Sequence, residues 1–219
     1  MDSQRTRIIA GDARRMDISA FPCKYGVIVA DPPWLYRVSK GQGTAIEQYE
    51  VMTDLDIYSM PVKDMASEDS ILLLWGTWPK LPEALQTMSA WGFEYVTGFP
   101  WIKLNKNGVG ISYGVGYWVR GCSEFVFIGR RGNVSPPRLE GFLGLMSPNL
   151  KHSHKPEDIY AIAESLPGPY LELFSRRSRR GWHSFGNEVK DMETGATHTP
   201  DGIKIKNVQP QLFGVNYGH

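Results

Sequence analysis

The chain predicts an α/β fold: a mainly parallel sheet covered on both faces by helices. Three observations carry this. Short apolar runs, among them Ile8-Ile9-Ala10, Gly26 to Ala30 and Ser70 to Trp75, alternate with segments of helical spacing. These runs are continuously apolar, as strands buried on both faces must be. The 219 residues, 42% hydrophobic and 21% charged, also suit one domain with a sizeable core.

Taken in order, the first two runs each lead to an aspartate, Asp12 and Asp31. Residues 35–52 are polar, with Gly41 and Gly43, and read as a loop. Thr53 to Met65 holds a short helix, with Thr53 as its N-cap and Pro61 limiting it. Ser70 to Trp75 is a buried strand, and Pro82 to Trp91 a helix stopped by Gly92. Phe93 to Leu104 is a strand interrupted by Gly98 and Pro100, and Ser123 to Ile128 another, across the glycine-rich stretch 105–121. Residues 131–153, with Pro136, Pro137 and Pro148, form a long irregular excursion. Lys155 to Leu166 is a helix opened near Pro156, with Glu157 and Asp158 in its first turn. Tyr170 to Phe174 is a strand, and Gly181 to Val189 a turn into a short helix. The stretch 191–219 shows no periodicity and is assigned no fold, so the expected division is a domain over 1–190 and a C-terminal extension over 191–219.

Composition excludes several classes. The formal charge of +1 argues against a binder that grips phosphate by net charge alone, though a local basic face can still supply the field. Arg176, Arg177, Arg179 and Arg180 are such a concentration, against the alternative of a solvated loop. No apolar stretch is long enough for a bilayer. No signal sequence opens the chain. Cys23 and Cys122 lack metal-ligand spacing, and the expectation is a cytoplasmic protein with free thiols.

In open parallel sheets, ligands sit beyond the carboxyl ends of the strands, where Asp12, Asp31 and Ser175 would all arrive. The most informative segment there is Asp31-Pro32-Pro33-Trp34. Two prolines lack N–H donors, so backbone carbonyls can face a ligand without competing for ladder bonds. A carboxylate, a fixed carbonyl and a flat ring together can grip the exocyclic amine of a planar base. Competing signals are weaker. Asn107-Gly108-Val109-Gly110 lacks a dinucleotide fingerprint and a following helix, so a flexible loop is preferred. His152 and His154 have no partners completing a zinc set, and His183 has no nucleophile motif.

With that tetrapeptide the chain resembles the MT-A family of adenine-N6 methyltransferases, whose members share the Asp-Pro-Pro-Trp signature and include the catalytic subunit of the eukaryotic mRNA methyltransferase. The resemblance runs from about Gly11 to Val189. Its supporting segments are Gly11-Asp12-Ala13, Leu73-Leu74-Trp75, Gly116-Tyr117-Trp118 with Glu124, Ser153 to Tyr160, Leu171 to Phe174 with Arg176, and Gly186-Asn187-Glu188.

This resemblance implies a Rossmann-like methyltransferase fold in the circularly permuted, beta-class motif order, with S-adenosylmethionine as methyl donor. Asp31, Pro32, Pro33 and Trp34 are then the catalytic segment, Asp31 also lying against the cofactor. Asp12 and Ala13 should meet the cofactor's adenine, with Asn187 and Glu188 nearby. Lys155 should pair with the methionine carboxylate, and Glu172 and Arg176 should lie near the ribose. Ser178 and Arg179 replace a His-Asn pair of the eukaryotic pattern. Trp34, Tyr49 and Trp118 are candidates to stack on or hold an extruded base, with Arg120 and Glu124 near the acceptor. No metal is required by this scheme.

The expected activity is adenine-N6 methylation of nucleic acid. DNA is favoured over RNA because the chain is compact, as in prokaryotic or phage members. The target base must be flipped or single-stranded. An RNA enzyme with the same site, a non-catalytic nucleic-acid-binding subunit and a cytosine-N4 enzyme are the alternatives. A homodimer or a heteromeric partner is open to it, and no membrane is expected.

Overall fold

The structure, a computed structural model, describes residues 5–36, 51–114, 118–135, 142–148 and 155–204. Tyr49, Gly116, Tyr117, His152, Ser153 and His154 lie outside these residues, as does most of the 35–52 loop.

Eight strands form one sheet: β1 (Arg7–Ala10), β2 (Tyr25–Ala30), β3 (Ala66–Gly76), β4 (Glu94–Leu104), β5 (Ser123–Arg131), β6 (Leu145–Pro148), β7 (Tyr170–Leu173) and β8 (Trp182–Gly186). Their spatial order is β1-β8-β7-β2-β3-β5-β4-β6, with only β5 running against the rest. The sheet is mainly parallel, as predicted, and its order and flanking helices are those of a Rossmann-like methyltransferase.

Side chains along β2 divide the core in two, following the period of two that a strand imposes. Ile28 and Ala30 join Leu72, Leu74, Phe125 and Leu173 on one face, beneath helices α1 (Asp54–Ser59), α2 (Val62–Met65) and α3 (Leu81–Ala90). Val27 and Val29 join Ile71, Leu73, Trp75 and Val126 on the other, beneath α4 (Asp158–Glu164). The predicted cap of α1 is present. Thr53 Oγ1 accepts from the Asp56 N–H at 3.2 Å, and the Thr53 N–H donates to Asp56 Oδ2 at 3.1 Å. Such reciprocal caps contribute about 1 kcal/mol.

Two segments differ from the sequence reading. Residues 182–186 are strand β8, not a turn into a helix. All five are buried, because β8 lies between β1 and β7 with side chains covered on both faces, so no alternation marks it as a strand. The bracketing Gly181 and Gly186 give it a turn-like look. The excursion 131–153 contains β6, which pairs parallel with the end of β4; four residues ending in a proline carry too little pattern to be seen. Beyond residue 190, β10 (Thr197–Thr199) pairs antiparallel with both β9 (Val189–Lys190) and β11 (Gly202–Lys204). β4 is one continuous strand with a bulge between Tyr95 and Thr97, despite Gly98 and Pro100.

The chain leaves β2 for β3 on one side, while β7 leads to β8 on the other, so the sheet reverses its progression between β2 and β7. That reversal opens a crevice beyond their carboxyl ends, the usual ligand position of such sheets.

Candidate active site

Asp31 follows β2 at this crevice. Its carboxylate meets the Lys155 ammonium at 3.2 Å, and Lys155 is held by Glu124 Oε2 at 2.5 Å. Glu124 is held in turn by Lys103 at 2.5 Å, giving a chain of alternating charge: Asp31, Lys155, Glu124, Lys103. The elements explain the convergence. β5 runs antiparallel, so its first residues, Ser123 and Glu124, arrive at the rim where the other strands end. Lys155 precedes α4 and lies 5.1 Å from the Trp75 ring.

Burial sets the electrostatics. It raises Asp31 above the usual carboxylate range, against the pull of Lys155. Burial also opposes ionisation of Glu124, but Lys155 and Lys103 outweigh it and hold that carboxyl low. Lys155 loses hydration too, yet Asp31 and Glu124 together push it up to about 12. At neutral pH Lys155 is therefore a fixed cation between two carboxylates.

On the other side of Asp31, a pocket lies over the ends of β1, β7 and β8. Asp12, Ala13, Pro33, Phe174, Phe185 and Asn187 line it, so residues far apart in sequence meet there. Asp12 caps a single 3-10 turn and accepts from the Arg14 backbone N–H at 3.0 Å and from its guanidinium at 2.9 Å, which holds its carboxyl low. Phe174 has φ of 62°, the only non-glycine residue with positive φ among those described, at a strand end facing the pocket. Gly186 is required where the chain after β7 crosses β8: an added Cβ would lie 2.0 Å from the Ser175 carbonyl oxygen.

Glu172, near the end of β7, accepts from Tyr160 Oη at 2.7 Å and from Ser175 Oγ at 3.0 Å. Burial pushes its carboxyl up to about 7, with both hydroxyls working against the shift. Arg179 stacks over Tyr160, 3.6 Å from the ring centroid, and both Arg177 and Arg179 donate to Glu157. Two of the four clustered arginines are thus committed to the helix that carries Tyr160, which corrects the reading of the cluster as a phosphate-facing patch. Arg176 and Arg180 are exposed. Neither Tyr160 nor Glu157 was singled out for a role at the site by the sequence; no residue-type signal marks a tyrosine that acts through a neighbouring carboxylate.

The tetrapeptide also departs from expectation. The Pro32 carbonyl accepts from the Trp34 N–H at 2.9 Å, and the Pro33 carbonyl from the Met52 N–H at 3.1 Å. Both carbonyls are already engaged, each keeping one lone pair. Trp34 is only 5% exposed, packed in the α1–α3 core with its indole N–H toward the Trp75 carbonyl at 3.4 Å. It is a wall of the fold, not an open stacking face. Trp118 is 99% exposed, and Arg120 lies over Tyr113 at 5.6 Å with its Nε toward the Gly114 carbonyl. Asn187 and Glu188 are exposed beyond β8. Residues 105–110 form a turn, closed by Asn105 Nδ2 donating to the Val109 carbonyl and the Val109 N–H donating to Asn107 Oδ1. Among the described residues no group of three or more His, Cys, Asp or Glu is placed to hold a metal ion, and no helix is long and apolar enough to cross a membrane.

The sequence profile of the MT-A70 family matches residues 25–188, from the first residue of β2 to just beyond β8. The chain belongs to the MT-A70 family. Among its relatives, the N(6)-adenosine-methyltransferase catalytic subunit METTL3 of Homo sapiens is 30% identical over 192 residues, covering 83% of this chain and 31% of that protein. The N(6)-adenosine-methyltransferase MT-A70-like protein of Drosophila melanogaster is 29% identical over 210 residues, covering 92% and 31%. The type II methyltransferase M.MunI of a Mycoplasma species is 28% identical over 194 residues, covering 77% and 79%. The chain thus spans about a third of the length of the two animal relatives and most of M.MunI. MT-A70 methyltransferases take their methyl group from S-adenosylmethionine. The pocket's lining fits the purine part of that cofactor, with apolar walls at Ala13, Pro33 and Phe174 and polar groups at Asp12 and Asn187; Glu172 and Lys155 stand outside that lining, one in β7 and the other paired with Asp31.

Proposed function

We propose that this protein transfers methyl from S-adenosylmethionine to the N6 amine of adenine in DNA, the target base being flipped out or single-stranded. The observation that carries this reading is Asp31: a charge-paired carboxylate at the crevice, with the pocket lined by Asp12, Ala13 and Asn187 on one side and the Lys155–Glu124 chain on the other. When bound, S-adenosylmethionine supplies an electrophilic methyl on a positively charged sulfur. Asp12, Ala13 and Asn187 would meet its adenine, Glu172 and Arg176 its ribose, and Lys155 its carboxylate.

The adenine amine is a weak nucleophile, because its lone pair is delocalised into the ring. Asp31 accepts one of its N–H groups, and the free lone pair of the Pro32 carbonyl is placed to accept the other. That grip favours a pyramidal nitrogen whose lone pair points at the methyl carbon. Asp31 would stabilise the positive charge growing on nitrogen as it takes up the methyl group that the bound cofactor supplies. The amine proton leaves afterwards, to water or through Asp31. Raised affinity for a proton suits Asp31 to that relay. It orients and stabilises; it is far too weak a base to deprotonate the neutral amine.

The DNA reading is supported by M.MunI, a type II methyltransferase 28% identical to this chain over 194 residues. The N(6)-adenosine-methyltransferases, matched over a third of their length at equal identity, support RNA as the second reading. Matched DNA and RNA oligonucleotides, methylated in parallel and digested for nucleoside mass spectrometry, separate the two. N6-methyldeoxyadenosine is the expected product. Methyl found only on RNA would move the assignment to adenosine, and methyl on cytosine would overturn it.

A further inference from the structure

On the assumption that the proposed adenine methylation holds, the structure raises a question about the acceptor base: what does it stack on? Trp34, the aromatic residue of the tetrapeptide, is sealed in the core. Two other aromatic side chains are not. Tyr36, two residues further along, is 38% exposed, and Trp78, two residues past β3, is 52% exposed.

Both are held in place. Tyr36 Oη and Thr77 Oγ1 are hydrogen-bonded at 2.7 Å, which ties the segment after the tetrapeptide to the end of β3. The Trp78 indole N–H donates to Ser123 Oγ at 2.9 Å, and its ring meets Phe125 edge-on at 5.4 Å. Half-exposed aromatic rings fixed by their polar atoms are pre-organised surfaces, losing little rotamer freedom when a flat ligand lands on them. Tyr36 also sits within the electrostatic reach of Asp31, Lys155 and Glu124; burial and the two carboxylates raise its phenol, against the pull of Lys155 and the Thr77 hydrogen bond.

Topology puts these residues where an acceptor is needed. The pocket lined by Asp12, Ala13 and Asn187 lies over β1, β8 and β7, to one side of Asp31. Tyr36, Thr77, Trp78 and Ser123 lie over the end of β3 and the start of β5, to the other. Asp31 stands between donor and acceptor sides, as in-line transfer requires. We propose that Tyr36 and Trp78 form the stacking platform for the extruded adenine or its neighbouring base, and that Thr77 and Ser123 fix its angle. Stacking on an aromatic face is tolerant of base identity, so this platform contributes affinity while Asp31 selects the amine.

The test uses the full chain with an adenine-containing oligonucleotide and a matched one carrying 2-aminopurine at the target position. Trp78→Ala and Tyr36→Ala should each raise KM for the oligonucleotide about tenfold. Trp78→Phe should recover most of that loss, while S-adenosylmethionine affinity by calorimetry stays within twofold. The 2-aminopurine signal on binding should change between wild type and Trp78→Ala, since an indole in contact with the base quenches it. Oligonucleotide KM within twofold of wild type in both alanine variants overturns the platform. So does a parallel fall in cofactor affinity, which marks a structural role. If the wild type methylates no adenine, the functional reading itself fails and the platform falls with it; if it does, the variants judge the platform alone.

Discussion

The two ends of the central strands bury polar groups in opposite ways. At the amino end, Tyr25 and His183 are 0% and 2% exposed, and Tyr25 Oη is hydrogen-bonded to His183 Nδ1 at 2.7 Å with the rings edge to face. Burial raises the Tyr25 phenol, so the tyrosine keeps its proton at physiological pH. At the carboxyl end, Asp31, Lys155, Glu124 and Lys103 keep formal charges in a crevice that disfavours them. A fold seeking only stability would make both ends like the first, because buried ion pairs rarely repay their desolvation. The charges paired at the carboxyl rim are those the proposed transfer would use.

The sharpest way to break this contrast is Asp31→Asn. Turnover should fall on the order of 10²- to 10³-fold, as when one preorganised electrostatic partner of a transition state is lost. Thermal unfolding should scarcely move; near-normal turnover would remove Asp31 from the mechanism. Lys155→Ala comes next. It should weaken S-adenosylmethionine binding about tenfold or more by calorimetry. It should also shift the acid limb of the pH–rate profile upward, because Asp31 then loses the cation that favours its ionised form. An unchanged profile would detach Lys155 from Asp31.

Glu172→Gln probes a carboxyl between the extremes. Its folded-state value, about 7, lies above the ordinary 4.5, so its proton favours the folded state. The stabilisation is complete below about pH 4.5 and is lost as pH rises through 7. Wild type should therefore lose, relative to Glu172→Gln, on the order of 1–3 kcal/mol between pH 4.5 and 8, read by urea unfolding across that range. A flat difference would mean Glu172 is ionised throughout. The smallest effect belongs to the amino end: Tyr25→Phe should cost about 1 kcal/mol of stability and leave methyl transfer untouched. Lost activity there would erase the distinction between the two rims.

Much of this was legible in the chain. The apolar runs at β2, β3 and β7, the Thr53 cap and the Pro61 stop follow local rules, and the structure keeps them. The resemblance grouped Asp12, Ala13 and Asn187, and these three line one pocket together with Pro33, Phe174 and Phe185, which it did not group with them. Strand β8 was hidden because burial on both faces removes the alternation that marks a strand. Trp34 next to two prolines looked like a rim residue, but the Pro32 turn folds it back into the core. Arg177 and Arg179 looked like a basic surface because Glu157, their partner, is twenty residues away in the helix preceding β7. Tyr36 and Trp78 carried no motif at all. Their placement depends on the ends of β3 and β5 coming together, a matter of topology and not of local sequence.

The sheet order has a consequence for how the molecule is built. Val27 of β2 lies beside Tyr170 of β7, and Arg7 of β1 beside His183 of β8. Pairings between residues so distant in sequence are the slow ones in folding. During synthesis, β2 and β3 emerge early, yet one wall of the crevice does not exist until residues 170–186 have left the ribosome. A nascent chain therefore carries Asp31 long before the walls from β7 and β8 can pair beside it.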